Sequence, residues 1–404
     1  MNIWQYVLLA AVTTSALIWP SSDVQAMTVS GRASTVVEWY DNADGDTSVP
    51  FYQYLLLNVR DIDNNGLNFK SYGRFADDLA DEEDADSRLY YAYLEKKNVV
   101  EGLDFKLGRQ FISTTAGASV MDGLYVNYEA ACGYGIKLFG GGDVSYYKGY
   151  SATDLIGGLE VYGQLFDSLD IALSYLQKWD ESELSHELFG LNLDYTLNDT
   201  LNLYSETQFN YLSNSVSYFL VGANYLPTTD FSLRAEYLYS LPVFSSTSIY
   251  SVFAVEEYEE MMAELSYSIM PGLRSFIRGT LEKYDAYDDA VVLEAGIEKI
   301  RKDRFSGYLV GTWRDDEEGE DLYGVKARAA YLITPKFQAG VGAHIDVLER
   351  ELDYDDDETT ASRVWVDGTC YFTRDLNLEA KVERIESDLY DEYYSGRVRL
   401  NVHF

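Results

Sequence analysis

The feature that most constrains this chain is a period-two alternation of apolar and polar residues, which recurs throughout residues 27–404. The clearest examples are residues 201–206, 376–383 and 398–404. Successive side chains of a strand point to opposite faces, so this pattern predicts strands with one apolar and one polar face. No part of this region has a convincing helical period, or the roughly 20 consecutive apolar residues of a membrane-spanning helix. The sequence therefore predicts an all-β chain.

The alternating stretches are numerous and similar in length. Counting them gives about 22 strands, and even counts from about 18 to 22 agree with membrane strands of ~9–11 residues. The predicted strands lie at residues 28–40, 50–60, 66–77, 86–96, 101–111, 120–130, 134–143, 153–165, 168–178, 186–197, 200–211, 216–226, 230–240, 258–269, 272–284, 289–300, 304–314, 321–333, 336–348, 361–373, 375–386 and 392–404.

The connections between these stretches fall into two alternating classes. Tight turns are predicted at residues 63–66, 197–200, 226–230, 270–272 and 334–336. Longer, acidic connections are predicted at residues 77–86, 284–289, 315–321, 349–360 and 386–392. Short turns on one side and longer loops on the other are typical of outer-membrane barrels. We therefore predict a transmembrane antiparallel up-and-down β-barrel over residues 27–404, with its tight turns in the periplasm and its acidic loops outside.

The first 26 residues have the pattern of a signal peptide. Residues 7–19 are mostly apolar, Pro20 ends the run, and Val24 and Ala26 supply small side chains where a signal peptidase cleaves. The apolar run is short for a membrane anchor, although residues 1–6 lack the usual Lys or Arg. We expect residues 1–26 to be cleaved on export and the barrel to lie in the outer membrane of a Gram-negative bacterium.

Charge and side-chain chemistry exclude several function classes. The chain has 31 Lys and Arg against 67 Asp and Glu, a net charge of −36, which repels nucleic acid. Its 3 His are scattered, so we expect no enzyme activity and no cofactor. The segment 61–66 resembles the first half of a calcium loop, but its twelfth position is Tyr72, so no metal site is predicted. Cys132 and Cys370 are expected to be free thiols on distant elements.

The whole of the predicted barrel resembles the bacterial outer-membrane porins. Leu107-Gly108-Arg109-Gln110 looks like a strand found in several porin families, and Phe404 ends an alternating strand that resembles the signal read by the barrel assembly machinery. Four Trp are predicted at the loop ends of strands, as an aromatic girdle: Trp39, Trp179, Trp313 and Trp365. The resemblance implies passive diffusion of small hydrophilic solutes or ions, with outer-membrane lipid and lipopolysaccharide as the surroundings.

The polar faces of the predicted strands carry charges that we assign to the lumen. A charge facing lipid at mid-membrane would cost roughly 2–4 kcal/mol, whereas in a wet lumen the cost is low. Most of these residues are predicted to form cross-strand pairs, and a few to line a constriction that tunes selectivity. The candidates are Lys70, Arg74, Arg88, Lys106, Arg234, Arg278, Lys326, Arg328, Arg363, Arg397, Arg399, Glu206, Glu236, Glu379 and Glu383.

A barrel of this size encloses more space than a small solute needs. We predict that the longest outer connection, residues 241–257, folds inward as a constriction through Phe244, Tyr250 and Phe253. The alternative is a wide sheath that houses a periplasmic multihaem c-type cytochrome for electron transfer across the outer membrane, as in porin–cytochrome conduits. The sequence leaves both open, along with the solute and the oligomeric state. Much of the excess acid lies in the outer connections, so we expect an acidic outer rim above a roughly balanced wall.

Overall fold

The computed structural model describes residues 27–41, 46–63, 65–82, 85–145, 151–243, 257–285, 289–316, 321–352, 355–388 and 390–404. The predicted signal peptide and the predicted constriction residues Phe244, Tyr250 and Phe253 lie outside these ranges. Within them the structure consists of strands and turns, and no helix there is long and apolar enough to cross a membrane.

The described chain is built from strands that follow the alternating stretches of the sequence. They are β1 (Thr28–Asp41), β2 (Thr47–Ser48), β3 (Pro50–Arg60), β4 (Leu67–Asp78), β5 (Arg88–Val100), β6 (Leu103–Thr114), β7 (Gly117–Glu129), β8 (Gly135–Asp143), β9 (Leu155–Leu165), β10 (Leu169–Asp180), β11 (Glu183–Asn198), β12 (Leu201–Asn210), β13 (Ser215–Thr228), β14 (Phe231–Ser240), β15 (Tyr258–Met270), β16 (Leu273–Tyr284), β17 (Ala290–Lys299), β18 (Phe305–Asp316), β19 (Leu322–Thr334), β20 (Phe337–Leu352), β21 (Asp355–Tyr371), β22 (Leu376–Ser387) and β23 (Tyr390–His403).

The strands close into a 22-stranded antiparallel barrel, and the two-residue β2 is an extra strand that pairs with the end of β1. Each barrel strand pairs with its neighbours in sequence, and β1 pairs with β23, for example Arg32 opposite His403. The backbones of Gly31 and Phe404 exchange two further hydrogen bonds at this closure. The predicted fold and the count of 22 are confirmed.

The two rims of the barrel differ less than the sequence predicted. The rim at which β1 begins and β23 ends has tight turns, as expected, including residues 199–200, 229–230 and 271–272. At the opposite rim, however, residues 115–116 and 181–182 are equally short connections. The acidic segment 349–360 is also not a long loop, because β20 and β21 continue through most of it. Strand pairing there satisfies the hydrogen bonds of the backbone. The number of acidic residues in this segment does not show whether its backbone is paired.

The register separates two faces of the wall. Partners opposite each other on neighbouring strands share a face, so the polar positions of successive strands form one continuous surface. The other surface carries exposed aliphatic side chains such as Leu173, Leu203, Ile277 and Val366. In a closed membrane barrel the apolar surface meets lipid and the polar surface encloses the lumen. We refer to these surfaces as the outer and the inner face.

Candidate functional site: the lumen and an infolded hairpin

One hairpin leaves the barrel wall. The pairing of β6 with β5 begins at Ala92 opposite Arg109, and the ladder between β7 and β8 begins at Met121 opposite Asp143. Between these points β6 and β7 pair with each other up to Thr114 opposite Gly117. We call residues 110–119 the infolded tip. Its contacts, given below, lie on the inner faces of strands four to six positions further along the barrel.

The infolded tip is held in a socket formed by β10, β11 and β12. The backbone N–H of Ala116 donates to Oγ of Ser174 at 2.8 Å, and Nε2 of Gln208 donates to the carbonyl of Ala116 at 2.8 Å. Gly190, between these two strands, makes the approach possible, because a Cβ there would lie 2.3 Å from the Ala116 nitrogen. Hydrogen bonds to both backbone polar groups of Ala116 fix the position of the tip.

Apolar packing strengthens this docking. Met121, Leu176 and Ala116 are fully buried, although they lie inside a lumen that is otherwise largely polar. The cluster as a whole comprises Ile112, Ala116, Met121, Phe139, Ile156, Leu176 and Leu188. A cavity of about 350 Å³ remains between the tip, this wall and Leu241–Val243. The tip therefore narrows the lumen from one side.

Sequence reasoning did not find this element, because it treated residues 112–119 as an ordinary outer connection. A usable signal was present. The segment Ile-Ser-Thr-Thr-Ala-Gly-Ala-Ser has no charged residue, unlike the acidic connections at the same rim. Small and uncharged residues suit a segment that must pack closely against another backbone. The predicted constriction at Phe244, Tyr250 and Phe253 is neither supported nor opposed by the described residues.

The charged candidates from the sequence all occupy inner-face positions of the register. On β7–β18, which we call the paired wall, every inner-face Lys or Arg has a carboxylate partner. Arg278 illustrates the pattern, because it reaches Glu264 on β15 at 2.5 Å and Glu294 on β17 at 3.0 Å. The other pairs are Lys137–Glu160, Lys178–Asp143, Arg234–Glu236, Arg274–Glu298 and Arg314–Glu282. Further carboxylates, including Glu206, lie on the same wall, which leaves it net acidic.

The remaining arc, β19–β23 with β1 and β3–β6, has the opposite balance, and we call it the cationic wall. Some of its cations are paired, namely Lys70 with Glu95, Arg88 with Asp86, Arg328 with Asp367, and both Arg363 and Lys381 with Glu383. Others have no carboxylate within salt-bridge distance among the described residues. These include Arg32, Arg74, Lys106, Lys326, Arg397 and Arg399.

The tip and the cationic wall face each other. In a ring of 22 strands, the strand diametrically opposite β11 is β22, at the centre of the arc that carries Arg363, Lys381 and Arg397. The tip therefore occupies the side of the paired wall and leaves the cationic wall open to the lumen. The expected balanced wall is thus two walls of opposite sign, which the sequence alone could not separate because it gives no position around the ring.

The predicted aromatic positions divide between the two faces. Trp39, Trp179 and Trp313 lie on the outer face, opposite Gly396, Leu155 and Leu293 respectively. Trp365 does not share this position. Its register partners are Gly342 and Glu383, and Nζ of Lys381 lies 5.2 Å from the centroid of its ring. Trp365 therefore faces the lumen and does not belong to an aromatic girdle that faces lipid.

The remaining predicted residues occupy unremarkable places. Cys132 is exposed in the turn between β7 and β8, Cys370 is half-buried on β21, and both are free. Phe404 lies at the closure beside Gly31. Glu379 accepts a hydrogen bond from Nδ2 of Asn401 at 3.0 Å, which supports the hydrogen-bonded wall near that closure.

No family model and no curated protein matches this chain. Solved structures of similar fold exist at low sequence identity. The ferric enterobactin receptor PfeA of Pseudomonas aeruginosa, as its G324V mutant, is 11% identical with a TM-score of 0.64, over 95% of this chain and 81% of that one. The translocation pore of the P pilus usher PapC is 10% identical with a TM-score of 0.54, over 94% and 99%. OpdQ of Pseudomonas aeruginosa is 11% identical with a TM-score of 0.49, over 94% and 99%.

The first two of these similarities show the fold. Over 94–95% of its length the chain is similar to barrels of outer-membrane proteins, which agrees with the barrel type predicted from its sequence.

Proposed function

We propose that this protein is an outer-membrane channel through which small hydrophilic solutes or ions diffuse passively. The observation that carries the proposal is the infolded tip, docked by Ser174 and Gln208 inside a charged lumen. A wide barrel becomes a selective channel only if something narrows it, and a polar wall keeps the remaining passage wet. The structural similarity to outer-membrane barrels supports this proposal.

Single-channel recording in planar bilayers tests the proposal. The purified barrel should give small, stable and ion-selective conductance steps, because the tip reduces the open cross-section. Liposomes that contain the barrel should swell in small neutral sugars and not in polymers too large for the lumen. Failure to conduct ions and to pass sugars, in a preparation shown to be folded, would refute the proposal.

The sheath for a multihaem cytochrome is the second candidate, and lumen width favours it. A 22-stranded barrel is wide, and the contacts of the tip are confined to β10–β12 and their neighbours, so much of the lumen is open on the described chain. In that case the isolated barrel should give very large or unstable conductance. Purification of the tagged barrel from its native membrane should also recover a haem-staining protein in fixed ratio, whereas a solitary channel should recover none.

A further inference from the structure

We infer that the cationic wall carries a transient binding site for small oxyanions, on a surface made by Tyr52, Tyr54, Tyr72, Tyr91, Arg32, Arg74 and Arg399, which we call the tyrosine–arginine patch. This inference rests on the proposed channel function and specifies the solute class that the channel favours. It is carried by three features: stacked tyrosines, cations without carboxylate partners, and a buried donor without an acceptor.

The tyrosines form a ladder across β3, β4 and β5. The rings of Tyr54 and Tyr72 are nearly parallel, with centroids 6.2 Å apart, and those of Tyr72 and Tyr90 are 4.9 Å apart. An irregularity in the register between Tyr72 and Gly73 brings both Tyr90 and Tyr91 against Tyr72. Stacked rings turn their faces to each other. The surfaces that remain are ring edges, which carry partial positive charge, and hydroxyl groups, which donate hydrogen bonds.

The arginines beside this ladder lack anionic partners. The guanidinium of Arg74 lies 5.0 Å from the centroid of Tyr52, and its Nε donates to the carbonyl of Asp86 at 3.1 Å. Arg32 and Arg399 occupy inner-face positions of β1 and β23, opposite His403 and Glu379 respectively. No carboxylate of the described residues forms a salt bridge with any of these three arginines.

One donor in the patch is buried and unused. The Nε of Arg399 is buried and has no hydrogen-bond acceptor among the described residues. A buried N–H without a partner is costly, so this group requires an acceptor from outside the protein, such as an anion or an ordered water. By contrast, the guanidinium of Arg278 on the paired wall has two carboxylate partners.

The chemistry of these groups defines the ligand. Guanidinium forks match carboxylate and phosphate oxygens, and tyrosine hydroxyls add donors for further acceptor oxygens. A simple halide can satisfy the charge but not the array of donors. The patch should therefore prefer small anions with several oxygen atoms, such as sugar acids or phosphate esters, over chloride and over neutral sugars of the same size.

The experiment compares gluconate with glucose in the reconstituted full-length barrel. Liposome swelling should be faster in gluconate than in glucose, and gluconate should interrupt chloride current in brief blocks. The variant Arg32→Gln/Arg399→Gln should lower the gluconate-to-glucose ratio by about fivefold per removed charge at low salt, and the effect should shrink in 1 M salt. Tyr54→Phe/Tyr72→Phe, which removes hydroxyls only, should shorten the gluconate blocks and leave chloride selectivity unchanged.

The matched control is Arg384→Gln, which removes the same charge from the outer face of β22, where Arg384 pairs with Glu386 and Glu392. It should leave the ratio unchanged. A wild-type barrel that conducts but shows equal rates for gluconate and glucose would overturn the oxyanion site and leave the channel function intact. An unaltered gluconate-to-glucose ratio in Arg32→Gln/Arg399→Gln would also overturn the oxyanion site and leave the channel function intact. A barrel that conducts nothing would instead refute the proposed function. Two further parallel measurements, with glucose 6-phosphate and with gluconate, separate preference for phosphate from preference for carboxylate.

Discussion

The hydroxyl of Ser174 on β10 accepts a hydrogen bond from the backbone N–H of Ala116, which belongs to the hairpin of β6 and β7. This contact joins elements four strands apart across the inside of the barrel, and both residues are almost fully buried. The strand-to-strand ladder of a barrel does not require it. The contact is therefore evidence that the tip has a defined position in the lumen.

Gly190→Ala should release the tip and enlarge the conductance. The added Cβ would lie 2.3 Å from the Ala116 nitrogen and 2.4 Å from the Thr115 carbonyl carbon. Overpacking of this kind costs about 1–3 kcal/mol, comparable with the two hydrogen bonds that hold the tip at about 1 kcal/mol each. Single-channel recording should show larger or two-level steps.

Gly311→Ala is the control for this experiment, since a Cβ at Gly311 would meet no atom within 4 Å. It makes the same chemical change in a wall strand far from the tip and should leave the conductance unaltered. Equal conductance for the Gly190 variant and the wild type would show that the tip does not set the width of the passage.

Ser174→Ala should loosen the tip without steric strain. It leaves the buried N–H of Ala116 without its acceptor, at a cost of about 1–3 kcal/mol. The expected result is noisier current, with brief transitions to a higher level, and unchanged stability of the barrel wall. Ser213→Ala, at an exposed position of the β12–β13 connection, is the matched change and should be silent. Steady current in the Ser174 variant would argue against docking at this hydroxyl.

Most of the barrel could be predicted from the sequence, because strand alternation is a local property. Each of the predicted strands corresponds to an observed one, and the stretch 50–60 matches β3 exactly in its bounds. The bend at Arg109 could not be predicted in this way. The alternation of β6 breaks here, because Arg109 falls on its apolar face and Ile112 falls on its polar face. Such a break does not show whether a strand ends or turns inward. Only contacts distant in sequence, such as Gly190 with Ala116, distinguish the two.

A double-mutant cycle should test the ion pair at this bend. Arg109 binds Asp122 through two hydrogen bonds of 2.8 and 2.7 Å, on the face that also carries the exposed Leu107 and Leu124. Arg109 also donates to the carbonyl of Leu89, where β5 still pairs with β4 but no longer with β6. Loss of one charge leaves the other unpaired near lipid, so each single Leu variant should be destabilised by roughly 1–2 kcal/mol.

The double variant Arg109→Leu/Asp122→Leu should recover much of that loss, because neither charge is left unpaired. The measurement is urea unfolding of the barrel in lipid vesicles. Additive losses in the double variant would contradict the pairing. The cycle Arg274→Leu/Glu298→Leu provides the comparison in the lumen, where water stabilises each unpaired charge and single losses should be smaller.

Lipids with brominated chains should distinguish the tryptophans. Trp39, Trp179 and Trp313 lie on the outer face, whereas Trp365 lies under Lys381 on the inner face. Bromine quenches indole fluorescence at short range, so three variants that each retain one outer Trp should be quenched. A variant that retains only Trp365 should resist brominated lipid and respond to a water-soluble quencher. Quenching of Trp365 by brominated lipid would place it on the outer face.

The sequence could not show which face of the barrel each tryptophan occupies. That face depends on how its strand pairs with the neighbouring strands, and the pairing is not known from the sequence. Trp365 was assigned from its place near a loop end, whereas its face follows from pairing with Glu383. The division of the lumen into an acidic and a cationic wall could not be predicted for a related reason. Arg278 and Arg399 look equivalent in sequence, and only their neighbours on adjacent strands show that one is paired and the other is not.

The turn between β3 and β4 should depend on pH through Asp63. Its carboxylate accepts hydrogen bonds from the backbone N–H groups of Asn65 and Leu67 and from Nζ of Lys96. The bond from Lys96, with those from the backbone, lowers the pKa of Asp63 from 3.8 to about 2. A lowered pKa means that the folded state favours the ionised form, so Asp63 stabilises the turn above pH 3.8.

This stabilisation should be lost as the pH falls from 3.8 towards 2, because both states then bind the proton. Asp63→Asn should therefore lower the melting temperature of the detergent-solubilised barrel at pH 7, and the difference from wild type should disappear near pH 2. A difference between wild type and Asp63→Asn that is constant from pH 7 to pH 2 would show that Asp63 acts through its shape and not its charge.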